Sequence, residues 1–346
     1  MKVAFFVYPS AFQNKGGGEI VLEKTEEYLK KEGIEVVRFN TWDDKIEDFD
    51  ILHVFGSVKE CLPFMRVAKD RKTKIVLESI FWSDYRRAFH EEGSVIEKAE
   101  KILRHTVKRV LPFFPSGRKK MFEIADIIFP NSLNEAKQIS RLFAISMDKM
   151  FVIPNGVDIS FSQADPENFV NKYSLKDFVL SVGRIEPRKN QLNLIRAMKE
   201  VDRDLVLVGD TVSGYEWYRQ LCEQEATSRV HFLNGFEHGS DMLLSAYAAA
   251  DTFVLPGWFE TPGLAALEAA LAGAKVVATN GGSTKEYFKD YVFYFDPKNV
   301  LDLRRKIEDC SNIEKSQKLR EYISETYLWE KVAKKTIEGY KVVLSK

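Results

Sequence analysis

The stretch FETPGLAALEAALAG, Phe259 to Gly273, sets two glutamates, Glu260 and Glu268, eight positions apart around a Pro-Gly pair. Glu260 precedes the turn. There a carboxylate either accepts hydrogen bonds from sugar hydroxyls or sits as a favourable charge beside a helix N-terminus. The helix is expected to begin at Thr261 or Pro262, since proline suits the first helical turn. Its free amides at Gly263 and Leu264 would suit a phosphate. Glu268, two turns on, is either a surface charge or the acceptor for the two ribose hydroxyls of a nucleotide. The run around it, AALEAALAGA, is too apolar for a surface face, and a carboxylate on so buried a helix needs a partner.

Two further segments carry charge or backbone freedom suited to an anion. GRIEPRKN, Gly183 to Asn190, follows the strand-like FVLSV and precedes the helical QLNLIRAM. It places Arg184 and Lys189 at the carboxyl end of a strand, where a guanidinium fork and an ammonium fit a diphosphate; the plainer alternative is a solvated charged loop. Gly16, Gly17 and Gly18 lie between the first strand and the first helix. They make either a tight turn or a close backbone approach to a phosphate at a helix N-terminus. The segment is neither G-x-G-x-x-G nor a Walker loop, and Asn40 stands where a ribose-binding acid would follow the second strand.

The elements that must position these residues alternate. KVAFFVY, IEVVRFN, FDILHVFG, TKIVLESIF and MFEIADIIF read as strands with helices between them. The alternation restarts at DFVLSVGR and continues through DLVLVGD, RVHFLNGF, DTFVLPG, KVVATN and VFYFDP. Such alternation indicates βαβ units on parallel sheets. The reading is α/β, with two doubly wound Rossmann-like domains facing a central cleft: residues 1–158, a polar linker 159–176, residues 177–325, and a C-terminal helical segment 326–346 that packs back on the first domain. Ligands are expected at the carboxyl ends of the strands.

The bulk numbers narrow the class. The 346 residues suit two domains, and 51 Lys plus Arg against 51 Asp plus Glu give zero net charge, which argues against a protein that coats nucleic acid. Cys61, Cys222 and Cys310 are far apart and no Cys/His cluster exists, so neither a disulfide framework nor a metal site is signalled. KVAFFVYP is too short for a signal peptide's apolar core, and no apolar run reaches the length of a spanning helix. A cytoplasmic location follows as the expectation.

In this order and spacing the motifs resemble the retaining family 4 glycosyltransferases of the GT-B fold, over nearly the whole chain. FETPGLAALEAALAG is similar to their E-x7-E region, and the glycines 16–18 to their N-terminal loop. IPNGVD (Ile153 to Asp158) is similar to the entry to their second domain, SVGRIEPRKN to their phosphate-holding segment, and LVGD and HFLNGF to the strands around their nucleotide base. The resemblance implies a nucleotide-diphosphate sugar donor, transfer with retention, and neither metal nor cofactor. It also implies that Arg184 and Lys189 hold the diphosphate, Glu260 the sugar and Glu268 the ribose, with Thr261, Pro262, Gly263 and Leu264 in the phosphate loop. Two departures stand out. Family members often carry a His-Asp pair after the fourth strand, where this chain reads ESIFWSD, leaving Ser83 and Asp84 as acceptor-side candidates without the histidine. Pro262 replaces the more usual aromatic residue and removes an amide donor.

The acceptor implied is a glycan or a lipid-linked species. Lys98 to Lys120 carries eight Lys/Arg against one acid, with Lys101, His105, Lys108 and Arg109 at helical spacing and Phe113-Phe114 beyond. It is either a solvated helix covering the first domain or a peripheral contact with an anionic membrane at its inner face. A GT-B sugar-nucleotide epimerase and a non-catalytic sugar-nucleotide-binding protein are the alternatives to a transferase; the lack of G-x-G-x-x-G disfavours a dinucleotide oxidoreductase.

Overall fold

The alternating strands assort into two parallel sheets in a computed structural model of the chain, which describes residues 1–14, 16–84, 95–110 and 116–345. Among these residues the first sheet holds β1 (Lys2–Val7), β2 (Glu35–Arg38), β3 (Ile51–Phe55), β4 (Lys74–Glu78) and β5 (Ile127–Phe129), in the order β2-β1-β3-β4-β5. The second holds β6 (Val179–Val182), β7 (Leu205–Val208), β8 (Val230–Leu233), β9 (Thr252–Leu255), β10 (Lys275–Thr279) and β11 (Phe293–Phe295), in the order β11-β10-β9-β6-β7-β8. All pairings are parallel, with Ala4 opposite Leu52 in the first sheet and Leu180 opposite Phe253 in the second. The strands are short and nearly all apolar because helices cover both faces of such sheets. Both sheets are doubly wound Rossmann-like layers of the expected α/β class.

Strand order fixes where each sheet reverses direction. In the first sheet β2 lies on one side of β1 and β3 on the other, so the switch point falls between β1 and β3. In the second, β7 and β8 extend one way from β6, and β9 to β11 the other. The loops after β6 and β9 therefore flank the crevice that such sheets offer to ligands.

The chain divides into two units. The first is built on Met1–Ser83 and Leu103–Gly156 together with Trp329–Lys346, and the second on Val157–Leu328 with Asp84 and the described residues 95–102. The segment 159–176, expected as a polar linker, is folded into the second unit. It forms a 3-10 turn, Ile159–Gln163, and a helix, Glu167–Tyr173. Phe161 and Phe169 are its buried anchors, and the Phe169 amide donates to Ser245 Oγ at 2.8 Å. Two phenylalanines eight positions apart outweigh the polar composition around them, because each buries a large apolar ring.

The C-terminal helix, Trp329–Leu344, is part of the first unit. Gly339 lets it lie close against β5, since a Cβ there would meet the Phe129 ring at 2.5 Å. Tyr340 reaches the middle of β3, its hydroxyl 2.7 Å from Nδ1 of the fully buried His53. Burial holds this imidazole below its ordinary pKa, against the pull of Glu78, whose Oε2 lies 3.5 Å from Nε2. Tyr340→Phe leaves Nδ1 without its partner inside the core. Its cost should be about 1–3 kcal/mol of unfolding free energy in urea titration. An unchanged midpoint would show that the hydroxyl does not tie the helix to the sheet.

Candidate active site

The loops at the second switch point are laced together before any charge is considered. Trp258 of the β9 loop donates its ring Nε1–H to Pro187 O at 3.1 Å, and its backbone N–H to Arg188 O at 3.1 Å. Asn190, in the left-handed region at φ 55°, donates its side-chain amide to Pro256 O and Pro297 O, each at 3.1 Å. The β10 loop joins through Glu260 N–H to Gly281 O at 3.3 Å and Ser283 N–H to Glu260 O at 2.9 Å. Gly282, at φ 89°, must stay glycine, because a Cβ would stand 2.0 Å from Glu260 O.

On this frame the Lys189 ammonium donates to Glu260 Oε1 at 2.7 Å. The guanidinium of Arg188 lies 3.6 Å from the same oxygen, 5.8 Å from the Phe259 ring centroid, and bonds Glu186 Oε1 at 3.0 and 3.2 Å. Arg184, more exposed, stands 3.9 Å from Glu186 Oε1. Gly257 leaves room for the carboxylate, since a Cβ there would come within 2.6 Å of Glu260 Oε1. Burial depresses the Lys189 pKa while Glu260 opposes that shift. Burial also pushes Glu260 upward, but Lys189 and Arg188 outweigh it and the carboxyl is held below its ordinary range. Lys189 and Glu260 are thus brought together, Arg184 is linked to them only through Glu186 and Arg188, and Arg188 is an addition to the expected set. Its role is set by Phe259 and Glu260, far along the chain, which no local pattern signals.

Glu268 belongs to a neighbouring group on the same unit. It is buried, accepts from Tyr247 OH at Oε2 (2.7 Å), and has His238 Nε2 at 2.9 Å from Oε1. The demand for a partner was legible, but Tyr247 in LLSAYAAA and His238 in FEHGSD gave no hint that they supply it. The helix carrying Glu268 starts later than expected, at Leu264, and ends at Leu271. Gly263 at φ 90° is its N-cap, packed so that a Cβ would meet Leu255 Cδ2 at 2.5 Å. A left-handed residue cannot lie inside a right-handed helix, so Thr261 and Pro262 stay in the loop, joined by a cis peptide. Leu264 and Ala265 then head the helix, with amides that have no intrahelical acceptor.

The remaining candidates lie at the carboxyl ends of the first sheet. The helix Gly17–Lys31 has Gly16 as N-cap, and the Gly16 amide donates to Glu19 Oε2 at 2.9 Å. Tyr8 OH donates to Glu19 Oε1 at 3.2 Å. The glycines 16–18 therefore do stand at a helix N-terminus, but a protein carboxylate is already seated there, which the sequence reading did not foresee. Ser83 is held by Gln138, through its N–H at 2.9 Å and its carbonyl at 3.1 Å, and Asp84 follows it. The side chains of Lys101, His105, Lys108 and Arg109, and Phe113-Phe114, lie outside the described residues, although the backbone of the helix Val95–Val110 is described. Among the described residues no group of three or more His, Cys, Asp or Glu is placed to hold a metal ion.

A fully buried carboxylate fixes the backbone just before Ser83. Glu135 accepts from Ser79 Oγ at 2.5 Å, from Phe81 N–H at 2.6 Å and from Asn131 N–H at 2.8 Å. Burial pushes its pKa up to about 7, against those three hydrogen bonds and with a push from Glu78. Between the ordinary value of 4.5 and about 7, the folded state binds more protons than the unfolded one. Stability should therefore fall as pH rises through that window and level off above it. Glu135→Gln should flatten the fall in denaturant titrations at a series of pH values; a slope as steep as wild type would place its origin elsewhere.

Residues 164–327 match the family model for group 1 glycosyl transferases. An uncharacterised glycosyltransferase of Methanocaldococcus jannaschii is 31% identical over 242 residues, which are 63% of this chain and 60% of that one. The serotype-specific mannosyltransferase WbdA of Escherichia coli is 31% identical over 239 residues, 63% of this chain and 29% of that one. The chain thus covers less than two thirds of the length of these relatives. Among solved structures, Anabaena Alr3699/HepE in complex with UDP and glucose superposes with a TM-score of 0.73 at 18% identity, over 99% of each chain. Sucrose-phosphate synthase from Thermosynechococcus elongatus does so with a TM-score of 0.77 at 16% identity, over 100% of each chain. The loops that bring Lys189 and Glu260 together therefore lie within the segment, residues 164–327, that matches the group 1 glycosyl transferase model, on a chain of GT-B fold.

Proposed function

We infer that the chain transfers a sugar, with retention and without a metal, from a nucleotide-diphosphate sugar to a glycan or lipid-linked acceptor. The observation that carries this reading is the 2.7 Å contact of Lys189 with Glu260 across the switch point of the second sheet. It sets a cation for a diphosphate and an acceptor for sugar hydroxyls within one hydrogen bond of each other. Arg184 and Arg188 add charge, and the amides of Leu264 and Ala265 head a helix of eight residues close by in sequence. Glu268 stands ready for ribose hydroxyls, since each carboxylate oxygen accepts more than one hydrogen bond.

In the transfer, the bond from the sugar's anomeric carbon to the diphosphate oxygen breaks and a bond to the acceptor oxygen forms on the same face. The acceptor's proton passes to the departing phosphate. Arg184, Lys189 and the helix amides stabilise the charge that develops there, so no side-chain nucleophile is required. That the relatives include a mannosyltransferase and a D-inositol 3-phosphate glycosyltransferase of Nocardia farcinica supports the transferase reading over an epimerase or a binding module.

The helix Val95–Val110 supports a place at the inner, anionic face of a membrane for this enzyme. Ile96, Leu103, Val107 and Val110 recur on one helical face and are all exposed, and basic positions alternate with them in the sequence. Among the described residues no helix is long and apolar enough to cross a membrane, so the contact would be peripheral. Pelleting with anionic vesicles should retain the wild-type protein and lose Leu103→Asp/Val107→Asp. Equal pelleting of both, or none of the wild type, would remove the membrane from the account.

Donor choice is tested by binding and slow hydrolysis of UDP-, GDP- and ADP-sugars. One nucleotide should be bound and turned over, with Lys189→Ala and Glu260→Ala each lowering turnover by about 10²-fold or more. No binding across the panel, or full activity in both variants, would contradict the reading.

A further inference from the structure

We propose that Glu260 and the donor diphosphate compete for Lys189, so that the site discriminates an intact nucleotide sugar from a bare nucleoside diphosphate. The proposal rests on the donor reading above and concerns how the same site chooses among its anions. Lys189 is largely enclosed, and a buried ammonium requires an anion beside it. Glu260 is that anion at 2.7 Å, and Arg188 lies 3.6 Å from the same oxygen. The carboxylate has little freedom to leave, because its backbone N–H and C=O are pinned to Gly281 and Ser283 and its own side chain is 6% exposed. Gly257 and Gly282 close around it, with no room for a Cβ at either.

An arriving diphosphate therefore meets two cations already shared with a fixed carboxylate. Bare diphosphate brings negative charge toward Glu260 and nothing that Glu260 can accept. A sugar diphosphate brings hydroxyl donors as well, and these turn the same carboxylate from a repelling neighbour into a hydrogen-bond acceptor. Glu186 holds Arg188, and stands 3.9 Å from Arg184, by the same logic one step further out. In the free protein Glu260 favours the charged form of the buried lysine, against its burial. In the bound state it favours donor over the diphosphate left after transfer, which aids release of that product.

The test is isothermal titration of wild type, Glu260→Gln and Glu260→Asp with inorganic pyrophosphate, with UDP, GDP and ADP, and with the matching sugar nucleotides. Glutamine keeps the shape and one accepting oxygen but removes the charge; aspartate keeps the charge. The wild type should bind one sugar nucleotide at least about tenfold tighter than its bare diphosphate. Glu260→Gln should bind pyrophosphate and that diphosphate about tenfold tighter than wild type does, as expected for removing one like charge at a few ångströms in a partly buried site. Its sugar-nucleotide affinity should not rise, and Glu260→Asp should keep the weak diphosphate binding. Equal weakening of both ligand types in Glu260→Gln, or no gain for pyrophosphate, overturns the competition. Should Glu260→Gln fail to fold, the wild-type ratio decides: a bare diphosphate that binds as tightly as its sugar nucleotide contradicts the proposal. A gain for pyrophosphate in Glu260→Gln with no sugar nucleotide bound by any of the three proteins would uphold the competition and defeat the donor reading instead.

Discussion

A lysine ammonium withdrawn from water must keep an anion at its side, and in the second unit that anion is Glu260. Much of the surrounding backbone makes sense as the means of holding the two in place. Trp258 spans from the β9 loop to Pro187 and Arg188, Asn190 spans back to Pro256 and Pro297, and the β10 loop clamps Glu260 through Gly281 and Ser283. None of these contacts is itself charged. They set the geometry, and the geometry decides whether the ion pair stabilises or costs, since the desolvation of each partner is repaid only by a short, well-directed contact.

Topology explains why the pair forms where it does. A sheet that starts in its middle and winds both ways leaves a gap above the point where strand order reverses, and the loops after β6 and β9 border it. Arg184, Arg188, Lys189 and Glu260 all come from those two loops. The first sheet has its own reversal between β1 and β3, bordered by the glycines 16–18, where Tyr8 and Glu19 meet. Each unit thus repeats one device, a glycine-containing loop at a switch point leading into a helix, with different side chains added to it.

The strands and their parallel pairing were legible because short apolar runs separated by amphipathic helices leave few other folds open. Arg184, Lys189, Glu260 and Glu268 were legible because of their charge in or beside apolar sequence. Less local facts were not. The start of the helix at Leu264 depends on Gly263 taking a left-handed conformation against Leu255, and proline at the preceding position pointed the other way. Segment 159–176 reads as polar, yet Phe161 and Phe169 decide its fate through contacts with residues far along the chain. Tyr247, His238 and Arg188 are assigned their roles by neighbours distant in sequence. Glu135, one acid in the amphipathic helix LNEAKQISRLF, becomes the buried support of the Ser79–Phe81 backbone only once β4 and β5 are side by side.

The central claim is that the second unit's switch-point loops hold the donor. Amide hydrogen exchange with and without saturating sugar nucleotide tests this segment by segment. Exchange should slow in Gly183–Asn190 and in Trp258–Glu268 when nucleotide sugar is bound. Slowing confined to other segments, with both of these unchanged, would contradict the claim.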